Sequence, residues 1–433
     1  MKLVEFVPPT PHPLWELCPQ MGITDVIVKV NPELTGLPDP WKFETLASIV
    51  SRLKSAGLKV VGLEGDPFDM SPIKEFGVGE DFSHKEHKDG LFTNDNCHNC
   101  SQITNTNSTR STCSTRLNDT GNTVKTDPSV LREEALAHYR ELLESMGRLG
   151  IKLLCYNFMV GKGWSRTGVR EGRGGAKATY FSLDDFSHKD GLFTNDNCHN
   201  CSQITNNNPT RSTCSTRLNN PVNLVNPVKE NLILSHEQVW ANYEYFIKAV
   251  MPTAEKWGIR MGLHPDDPCL ESLGGYARIF GSIDAYDRAY SIYPSPSNAV
   301  TFCQANFKLM FTNVSCHTNT SSTCSTRLND PTKALADAAR HFGKRIAFIH
   351  IRDVEGDKTD FTELFHDQGD VDQFALMRVY RELGLNVPVR GDHVPEMAYD
   401  RVLTPEGTPG YFTLGRLFAN GYLKALLQGG RGF

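Results

Sequence analysis

Short apolar runs and longer amphipathic segments alternate along most of the chain. Runs of about four to eight mostly apolar residues predict strands, whereas apolar residues spaced three and four apart predict helices. The predicted strands are Leu3–Val7, Thr24–Val30, Leu58–Gly65, Ile151–Met159, Arg260–His264, Ala299–Cys303, Ile346–Asp353 and Val387–His393. The predicted helices are Trp15–Met21, Pro40–Ala56, Pro128–Leu149, His236–Trp257, Ile283–Ile292, Pro331–Phe342, Val371–Leu383 and Leu414–Leu427.

This alternation indicates the fold class. Strands separated by helices imply a parallel sheet, and eight such units fit a closed (β/α)8 TIM barrel. An open doubly wound sheet is the alternative, and it would usually carry a glycine-rich phosphate loop. The glycine-rich stretch Gly172–Gly175 follows no clear strand and lacks the spacing of a dinucleotide-binding loop. We therefore expect an α/β protein with a single barrel domain over residues 1–433.

Three polar segments interrupt the pattern, at about 84–120, 187–220 and 311–330. His87–Asn118 and His188–Asn219 are copies of 32 positions that differ at only two of them, and a degenerate third copy ends in the same eight residues. Segments rich in Ser, Thr and Asn bury too little apolar surface to offset the entropy lost on ordering. We expect these insertions to be surface loops, because scattered copies without periodicity do not build a repeat fold.

Cysteines in the insertions allow a second interpretation of these segments, as a metal site. Cys97-His-Asn-Cys100 with Cys113 is compatible with a small zinc site, but it offers no clear fourth ligand, and the loop interpretation is preferred. The four cysteines outside the insertions are expected to be reduced thiols, because no secretion signal is evident. They are Cys18, Cys155, Cys269 and Cys303.

Composition narrows the classes of partner. The formal net charge of -5 and the pI near 6.3 argue against nucleic-acid binding through bulk charge. No apolar run approaches the roughly 20 residues of a membrane helix. The amino terminus lacks the apolar stretch of a signal peptide. We therefore expect a soluble, cytoplasmic protein without a membrane or nucleic-acid partner.

Four successive late strands end on side chains that bind metals in other proteins. These residues are His264, Cys303, His350 and Asp392, with His393 directly after Asp392. Parallel barrel strands bring their carboxyl ends to one face, where barrel active sites lie. One such side chain is more often an ordinary core residue, but four in succession favour an open metal site.

Several stretches resemble the mannonate dehydratase family, whose members have a xylose-isomerase-like barrel. The resemblance covers nearly the whole chain outside the insertions. The chain departs from the family pattern in three places. Gly163 replaces the Asp that precedes the Trp, and Gln304-Ala-Asn306 replaces a Gly-Ser pair after Cys303. The first strand lacks the family's Trp-Tyr-Gly. The matching text is Cys155-Tyr-Asn-Phe-Met159, His264-Pro-Asp-Asp-Pro268, Phe302-Cys303, His350-Ile-Arg352, Gly369-Asp-Val-Asp372, Asp392-His393, Pro409-Gly-Tyr411 and Gly415-Arg416.

The resemblance implies a metal-dependent lyase that removes water from a sugar acid. The expected reaction converts D-mannonate to 2-keto-3-deoxy-D-gluconate in the breakdown of hexuronates such as glucuronate. The resemblance implies Mn²⁺ or Fe²⁺ as the cofactor, with His264, Cys303, His350 and Asp392 as ligands. It also implies His393 and Tyr411 as acid/base residues. The predicted substrate-binding residues are Asn157, Trp164, Arg166, Arg352 and Arg390.

Dehydration of a sugar acid places definite demands on these residues. A base removes the proton next to the carboxylate, an acid protonates the departing hydroxyl, and a cation stabilises the enediolate. Adjacent residues in a strand point to opposite sides. Asp392 and His393 therefore share one site only if the chain is already turning, which Gly391 permits. We expect Asp392 to bind the metal and His393 to lie further out, beside the substrate.

Two other functions remain open at this point. Sugar isomerases and epimerases on this barrel usually hold their metal with two Glu residues; none ends the four late strands, although Glu64 ends the third strand. The protein could also be an inactive homologue, because the third insertion begins within about ten residues of Cys303. A small sugar acid is the expected partner, and a homo-oligomer is left open.

Overall fold

The computed structural model describes residues 1–78, 115–117, 123–188, 232–312 and 330–429, with backbone alone at 115–117, 123–125 and 188. The predicted insertions at about 84–120, 187–220 and 311–330 fall almost entirely outside these residues. Their interpretation as loops of one domain over 1–433 therefore stays a prediction.

A parallel sheet forms the centre of the molecule. Its first strand is in two pieces separated by Val4, one paired with the last strand and the other with the second. The sheet is therefore a nearly closed barrel, which confirms the predicted α/β, TIM-barrel-like class. In chain order the strands are β1 (Lys2–Leu3 and Glu5–Val7), β2 (Asp25–Val28), β3 (Lys59–Glu64), β4 (Leu153–Tyr156), β5 (Arg260–Leu263), β6 (Asn298–Cys303), β7 (Ile346–Ile351) and β8 (Pro388–Gly391).

Helices connect and surround these strands. Each of the eight predicted helices is present, several with the predicted bounds. Among the described residues the α-helices are α1 (Leu14–Gln20), α2 (Pro32–Thr35), α3 (Phe43–Ser55), α4 (Ser71–Lys74), α5 (Pro128–Arg148), α6 (Leu183–His188), α7 (His236–Trp257), α8 (Ile283–Ile292), α9 (Gln304–Met310), α10 (Pro331–Phe342), α11 (Gln373–Glu382), α12 (Asp400–Leu403) and α13 (Thr413–Gln428). Short 3-10 helices lie at Arg173–Gly175 and Gly343–Arg345.

Local sequence signals explain where α7 begins and ends. Ser235 caps its first turn and forms a reciprocal capping box with Gln238. Gly258 ends the helix with a left-handed backbone conformation, at φ 61°, which glycine adopts without steric strain because it has no Cβ. None of the helices in the described ranges is long and apolar enough to cross a membrane.

The described residues form three apolar clusters, and two of them make up the parts of the core on either side of the barrel wall. The larger part lies between the sheet and the helices, where Tyr139 of α5 and Phe246 of α7 pack edge to face at 5.0 Å. The smaller part fills the barrel interior and includes Val4, Ile27 and Phe348. This packing holds the strand ends in fixed positions at the carboxyl face.

A four-stranded antiparallel sheet was not predicted. It consists of Gly168–Glu171, Lys177–Ser182, Val354–Asp357 and Asp360–Glu363. The strands predicted from the sequence include none between Met159 and the second insertion, whereas Gly168–Glu171 and Lys177–Ser182 both lie there. The pairing of Asp360–Glu363 with Lys177–Ser182 joins segments far apart in the chain, which local patterns do not indicate. Two short pairs of strands also form, Ser272–Leu273 with Tyr276–Ala277 and Thr115–Leu117 with Thr123–Lys125.

Candidate active site

The four predicted metal ligands meet at the carboxyl face of the barrel. The strands β5, β6, β7 and β8 are successive neighbours in the sheet, and Cys303 lies opposite His350 in the pairing of β6 with β7. His264 and Asp392 directly follow β5 and β8. Each residue offers one ligand atom, and these four atoms all lie within 4.8 Å of one another.

The distances in this group suit a single ion. His350 Nδ1 lies 3.6 Å from Asp392 Oδ2, and Cys303 Sγ lies 3.9 Å from the same oxygen. Ligand atoms about 2.0–2.3 Å from one ion in tetrahedral geometry are separated by roughly 3.3–3.8 Å. His264 Nδ1 lies 2.8 Å from the Pro265 carbonyl oxygen, to which it donates as the Nδ1–H form. In that form His264 Nε2 keeps a lone pair for a metal.

His350 supplies the test of whether the group fits a metal. Its side chain is fully buried, and neither ring nitrogen has a hydrogen-bond partner among the residues that the structure describes. An unsatisfied buried polar atom costs about 1–3 kcal/mol, so buried polar side chains are normally paired. A divalent ion bound to imidazole nitrogen would remove that cost. Two imidazoles, a thiol and a carboxylate form a suitable donor set for such an ion.

Electrostatics favour the metal-binding forms of two of these groups. Burial raises the pKa of Cys303, but the neighbouring imidazoles of His264 and His350 outweigh burial and lower this pKa to about 6. Burial likewise raises the pKa of Asp392, but the neighbouring His393 and Arg390 side chains hold it well below its usual range. A thiolate and a carboxylate therefore both face the space between the four ligands.

Glu64, Cys155 and His350 form a second group whose ligand atoms lie within 4.8 Å of one another. The Glu64 carboxylate already accepts hydrogen bonds from Arg390, one of them from Nε at 3.1 Å. Burial raises the pKa of Glu64, yet the charge of Arg390 lowers it to about 2. Because Arg390 neutralises Glu64, the second group is less suited to a cation than the first.

His393 and Tyr411 lie beside Asp392. Tyr411 donates its hydroxyl hydrogen to Asp392 Oδ1 over 3.3 Å, and the rings of His393 and Tyr411 are 5.0 Å apart. Burial and the charge of Asp392 raise the pKa of Tyr411 well above its usual value, so its hydroxyl keeps its proton. His393 itself has a φ of 21°, so the chain turns there rather than at Gly391, where we expected the turn.

Arg166, predicted to bind substrate, is fully occupied inside the protein. Its Nη1 donates to the Ser165 carbonyl and Asp267 Oδ1, both at 2.8 Å. Its Nη2 donates to Asp267 Oδ2 at 2.9 Å and Glu363 Oε1 at 2.7 Å, and its Nε donates to the same Glu363 oxygen at 3.2 Å. All five guanidinium hydrogens have partners. Arg166 is therefore suited to hold Asp267 and Glu363 in place, and its contact with substrate stays a prediction.

The other two predicted arginines are also paired with carboxylates. Arg352 donates to both oxygens of Glu363 and to Asp267, at 2.6–2.9 Å. Arg390 bonds Glu64 and lies 3.0 Å from Asp392 Oδ1. In each arginine one nitrogen has a hydrogen bond to one acceptor only, which leaves a hydrogen for a ligand: Nη2 of Arg352 and Nη1 of Arg390.

Asn157 and Trp164 both follow β4 in the chain but contact different groups. Asn157 Oδ1 accepts hydrogen bonds from Lys74 Nζ at 3.0 Å and from the Met159 amide at 3.1 Å. The Trp164 ring stands edge-on to the His393 ring at 5.4 Å, and its buried Nε1 has no partner in the structure. Trp164 thus contacts the predicted acid/base residue, and Asn157 is tied to Lys74.

Sequence reasoning missed two residues of the site. Glu363, from the unpredicted sheet, accepts hydrogen bonds from Arg166 and Arg352 and lies 3.0 Å from His393 Nδ1. Asn306 occupies the stretch that departs from the family pattern, and its Oδ1 accepts from Arg352 at 2.6 Å and from Cys303 Sγ at 2.9 Å. The departure after Cys303 could have drawn attention to Asn306, whereas no local signal pointed to Glu363.

Comparisons with known proteins show what this chain resembles in sequence and in fold. The family model described as "D-mannonate dehydratase (UxuA)" matches residues 118–317 and 304–430. A mannonate dehydratase of Streptococcus equi subsp. zooepidemicus is 27% identical over 300 residues, covering 69% of this chain and 74% of that protein. One of Endomicrobium trichonymphae is 28% identical over 278 residues, covering 60% and 66%. The crystal structure of mannonate dehydratase from Streptococcus suis serotype 2 superposes with a TM-score of 0.63 at 21% identity, over 99% of this chain and 94% of that one, which supports the same fold.

Proposed function

The chain belongs to the D-mannonate dehydratase (UxuA) family of sugar-acid hydro-lyases, and on that premise we propose that its carboxyl-face site dehydrates D-mannonate to 2-keto-3-deoxy-D-gluconate. The observation that carries the proposal is the convergence of four ligand atoms from His264, Cys303, His350 and Asp392 within 4.8 Å. A dehydration next to a carboxylate needs a cation at this place, beside groups that move protons.

We propose that the four residues hold Mn²⁺ or Fe²⁺. The unpartnered nitrogens of His350 and the lowered pKa values of Cys303 and Asp392 support this assignment. When bound, the ion would supply positive charge that stabilises the enediolate formed from the substrate. Asn306 would hold the loop after Cys303 in place, because its Oδ1 accepts from Arg352 at 2.6 Å and its Nδ2 donates to the Asp266 carbonyl at 3.0 Å.

The proposed proton transfers use His393 and Tyr411. His393 takes the proton from the carbon next to the substrate carboxylate, because a neutral imidazole is a suitable base near neutral pH. Tyr411 protonates the departing hydroxyl, because burial and Asp392 keep its own hydroxyl protonated. Trp164 and Tyr411, both edge-on to the His393 ring, limit the ring's rotation.

The substrate carboxylate needs a cationic partner. Of the three predicted arginines, Arg352 and Arg390 keep a hydrogen for it, whereas Arg166 does not. We propose Arg352 and Arg390 as the anchoring residues, with Trp164 and Asn157 bounding the site. The isomerase alternative loses support, since the Glu that would bind a metal, Glu64, is paired with Arg390.

The deciding experiment measures turnover and metal together. The purified full-length protein is stripped, reloaded with Mn²⁺ or Fe²⁺, and incubated with D-mannonate. We expect a 2-keto-3-deoxy acid in amounts far above that formed by the Asp392→Asn variant. A ketose from an aldose substrate, with no keto acid from D-mannonate, would favour an isomerase. Stoichiometric metal without either product would identify an inactive homologue.

A further inference from the structure

His393 Nδ1 has two polar neighbours of opposite character. Glu363 Oε1 lies 3.0 Å away, and Arg166 Nη2 lies 3.2 Å away. A carboxylate oxygen can only accept a hydrogen bond, and a guanidinium nitrogen can only donate one. The true partner of Nδ1 therefore fixes which ring nitrogen carries a hydrogen and which is available at the reacting centre.

The number of hydrogens on Arg166 decides between these partners. Its Nη2 carries two hydrogens. One is donated to Asp267 Oδ2 at 2.9 Å and the other to Glu363 Oε1 at 2.7 Å. Both hydrogens therefore have carboxylate acceptors nearer than His393 Nδ1, which lies 3.2 Å away, so we expect Nδ1 itself to donate and Glu363 to accept. This holds for the neutral ring and for the imidazolium.

Glu363 is firmly held in the accepting position. Arg352 donates to its Oε2 at 2.8 Å and to its Oε1 at 2.6 Å, and the residue is 1% exposed. Its strand, Asp360–Glu363, is paired with Lys177–Ser182. The other ring nitrogen, His393 Nε2, lies 3.7 Å from Asp392 Oδ1, beyond hydrogen-bonding distance, on the side of the proposed metal ligands.

We infer that Glu363 is a positioning residue that keeps hydrogen on His393 Nδ1 and so makes Nε2 the nitrogen that exchanges the substrate proton. The inference rests on the proposed dehydration. The Nε2 lone pair takes the proton from the carbon next to the carboxylate, and the C–H electrons pass into the enediolate. These electrons then form the carbon–carbon double bond as the neighbouring C–O bond breaks. The hydroxyl departs as water with a proton from Tyr411, and proton transfer from His393 to solvent and from solvent to Tyr411 restores both residues.

The tautomer can be observed without any turnover. The full-length protein, labelled with 15N-histidine and loaded with diamagnetic Zn²⁺, is studied by NMR, and the His393 signals are identified by their absence from His393→Asn. We expect a protonated, pyrrole-type nitrogen at Nδ1. A neutral ring with its hydrogen on Nε2 overturns the inference. Because no substrate is present, this result is independent of whether the protein dehydrates D-mannonate.

A pair of variants separates positioning from general loss of the ion-pair network. Glu363→Met frees a hydrogen on Arg166 Nη2, which then reaches His393 Nδ1 over 3.2 Å and shifts the hydrogen to Nε2. We expect kcat to fall roughly 10²–10⁴-fold, together with this shift of the hydrogen. The control is Glu5→Met, the same exchange at another buried carboxylate, which pairs with Arg416 outside the site. This control should keep the Nδ1–H form and most of kcat; an equal loss of kcat with the same tautomer shift contradicts the assigned role.

Discussion

Asp392 and His393 are consecutive residues whose side chains face the same site, with His393 Nε2 3.7 Å from Asp392 Oδ1. In a regular strand neighbouring side chains point to opposite sides. Here β8 has ended at Gly391, and the positive φ of His393 turns its side chain back beside Asp392. One backbone turn thus places the proposed metal-binding carboxylate next to the proposed catalytic imidazole.

The first prediction concerns metal retention. Asp392→Asn should lower the affinity for Mn²⁺ by at least about tenfold, because even residues that only support a ligand contribute 10- to 100-fold. Metal content after dialysis, measured by elemental analysis, checks this. The matched control is Asp353→Asn, a buried carboxylate that pairs with Lys308 instead of the ligands. Equal metal content in Asp392→Asn and the unchanged protein would remove Asp392 from the ligand set.

The second prediction concerns the buried arginine network. Arg166→Met should lower the free energy of unfolding by about 3–5 kcal/mol, because it leaves Asp267 and Glu363 short of a buried partner. Arg170→Met is the control: its pair with Asp360 is about two-fifths exposed on both sides, and such pairs contribute about 0–1 kcal/mol. Urea unfolding of both variants measures the difference. Equal losses would show that Arg166 is not a structural member of the site.

The third prediction concerns acid stability. Burial raises the pKa of Asp267, but Arg166 and Arg352 outweigh burial and hold this pKa far below its ordinary value of 3.8. A carboxyl whose pKa is depressed in the folded state stabilises the protein above its unfolded pKa. That stability is lost as the pH falls below about 3.8 toward the folded pKa. Urea unfolding between pH 5 and 3 should therefore show a steeper loss in the unchanged protein than in Asp267→Asn; parallel curves would contradict this.

Much of the barrel could be predicted, because its signals are local. The bounds of α7 follow from Ser235 at one end and Gly258 at the other, and the apolar spacing between them is helical. The four proposed ligands follow from strand ends, since parallel strands of a barrel share one direction. Glu363 could not be found in this way. It reaches His393 through a strand pairing between segments almost 180 residues apart, for which the chain carries no short-range pattern.

The three predicted arginines illustrate a second limit of predicting a site from sequence. A sequence shows that Arg166, Arg352 and Arg390 lie near a site for an anionic substrate, but it does not show their acidic neighbours in space. Once Asp267 and Glu363 are placed, Arg166 has no hydrogen left to donate. Whether buried carboxylates accept every hydrogen of an arginine depends on differences of tenths of an ångström in distance. Residue types and their spacing in the sequence do not specify such differences.

The fourth prediction concerns the repeated insertions. Deleting residues 87–118 and 188–219 should leave the melting temperature within a few degrees of the unchanged protein. The deleted segments are rich in Ser, Thr and Asn and offer little apolar surface to the core. Differential scanning calorimetry and metal content check the deletion variant. A markedly lower melting temperature would mean that the insertions pack as part of the fold.

The last prediction separates the two consecutive residues at the end of β8. His393→Asn removes the ring that lies beside Glu363 and Tyr411 but leaves all four proposed ligands intact. A base contributes a factor on the order of 10²–10⁴ to the rate, so kcat should fall at least about 10²-fold while the metal content stays unchanged. Asp392→Asn should show the opposite pattern: it should lose metal, and it should recover part of its rate when Mn²⁺ is in excess. The two variants are compared by single-turnover kinetics and elemental analysis on the same preparations. If His393→Asn loses its metal and regains full rate with excess Mn²⁺, His393 supports the ion, and the base must be another residue.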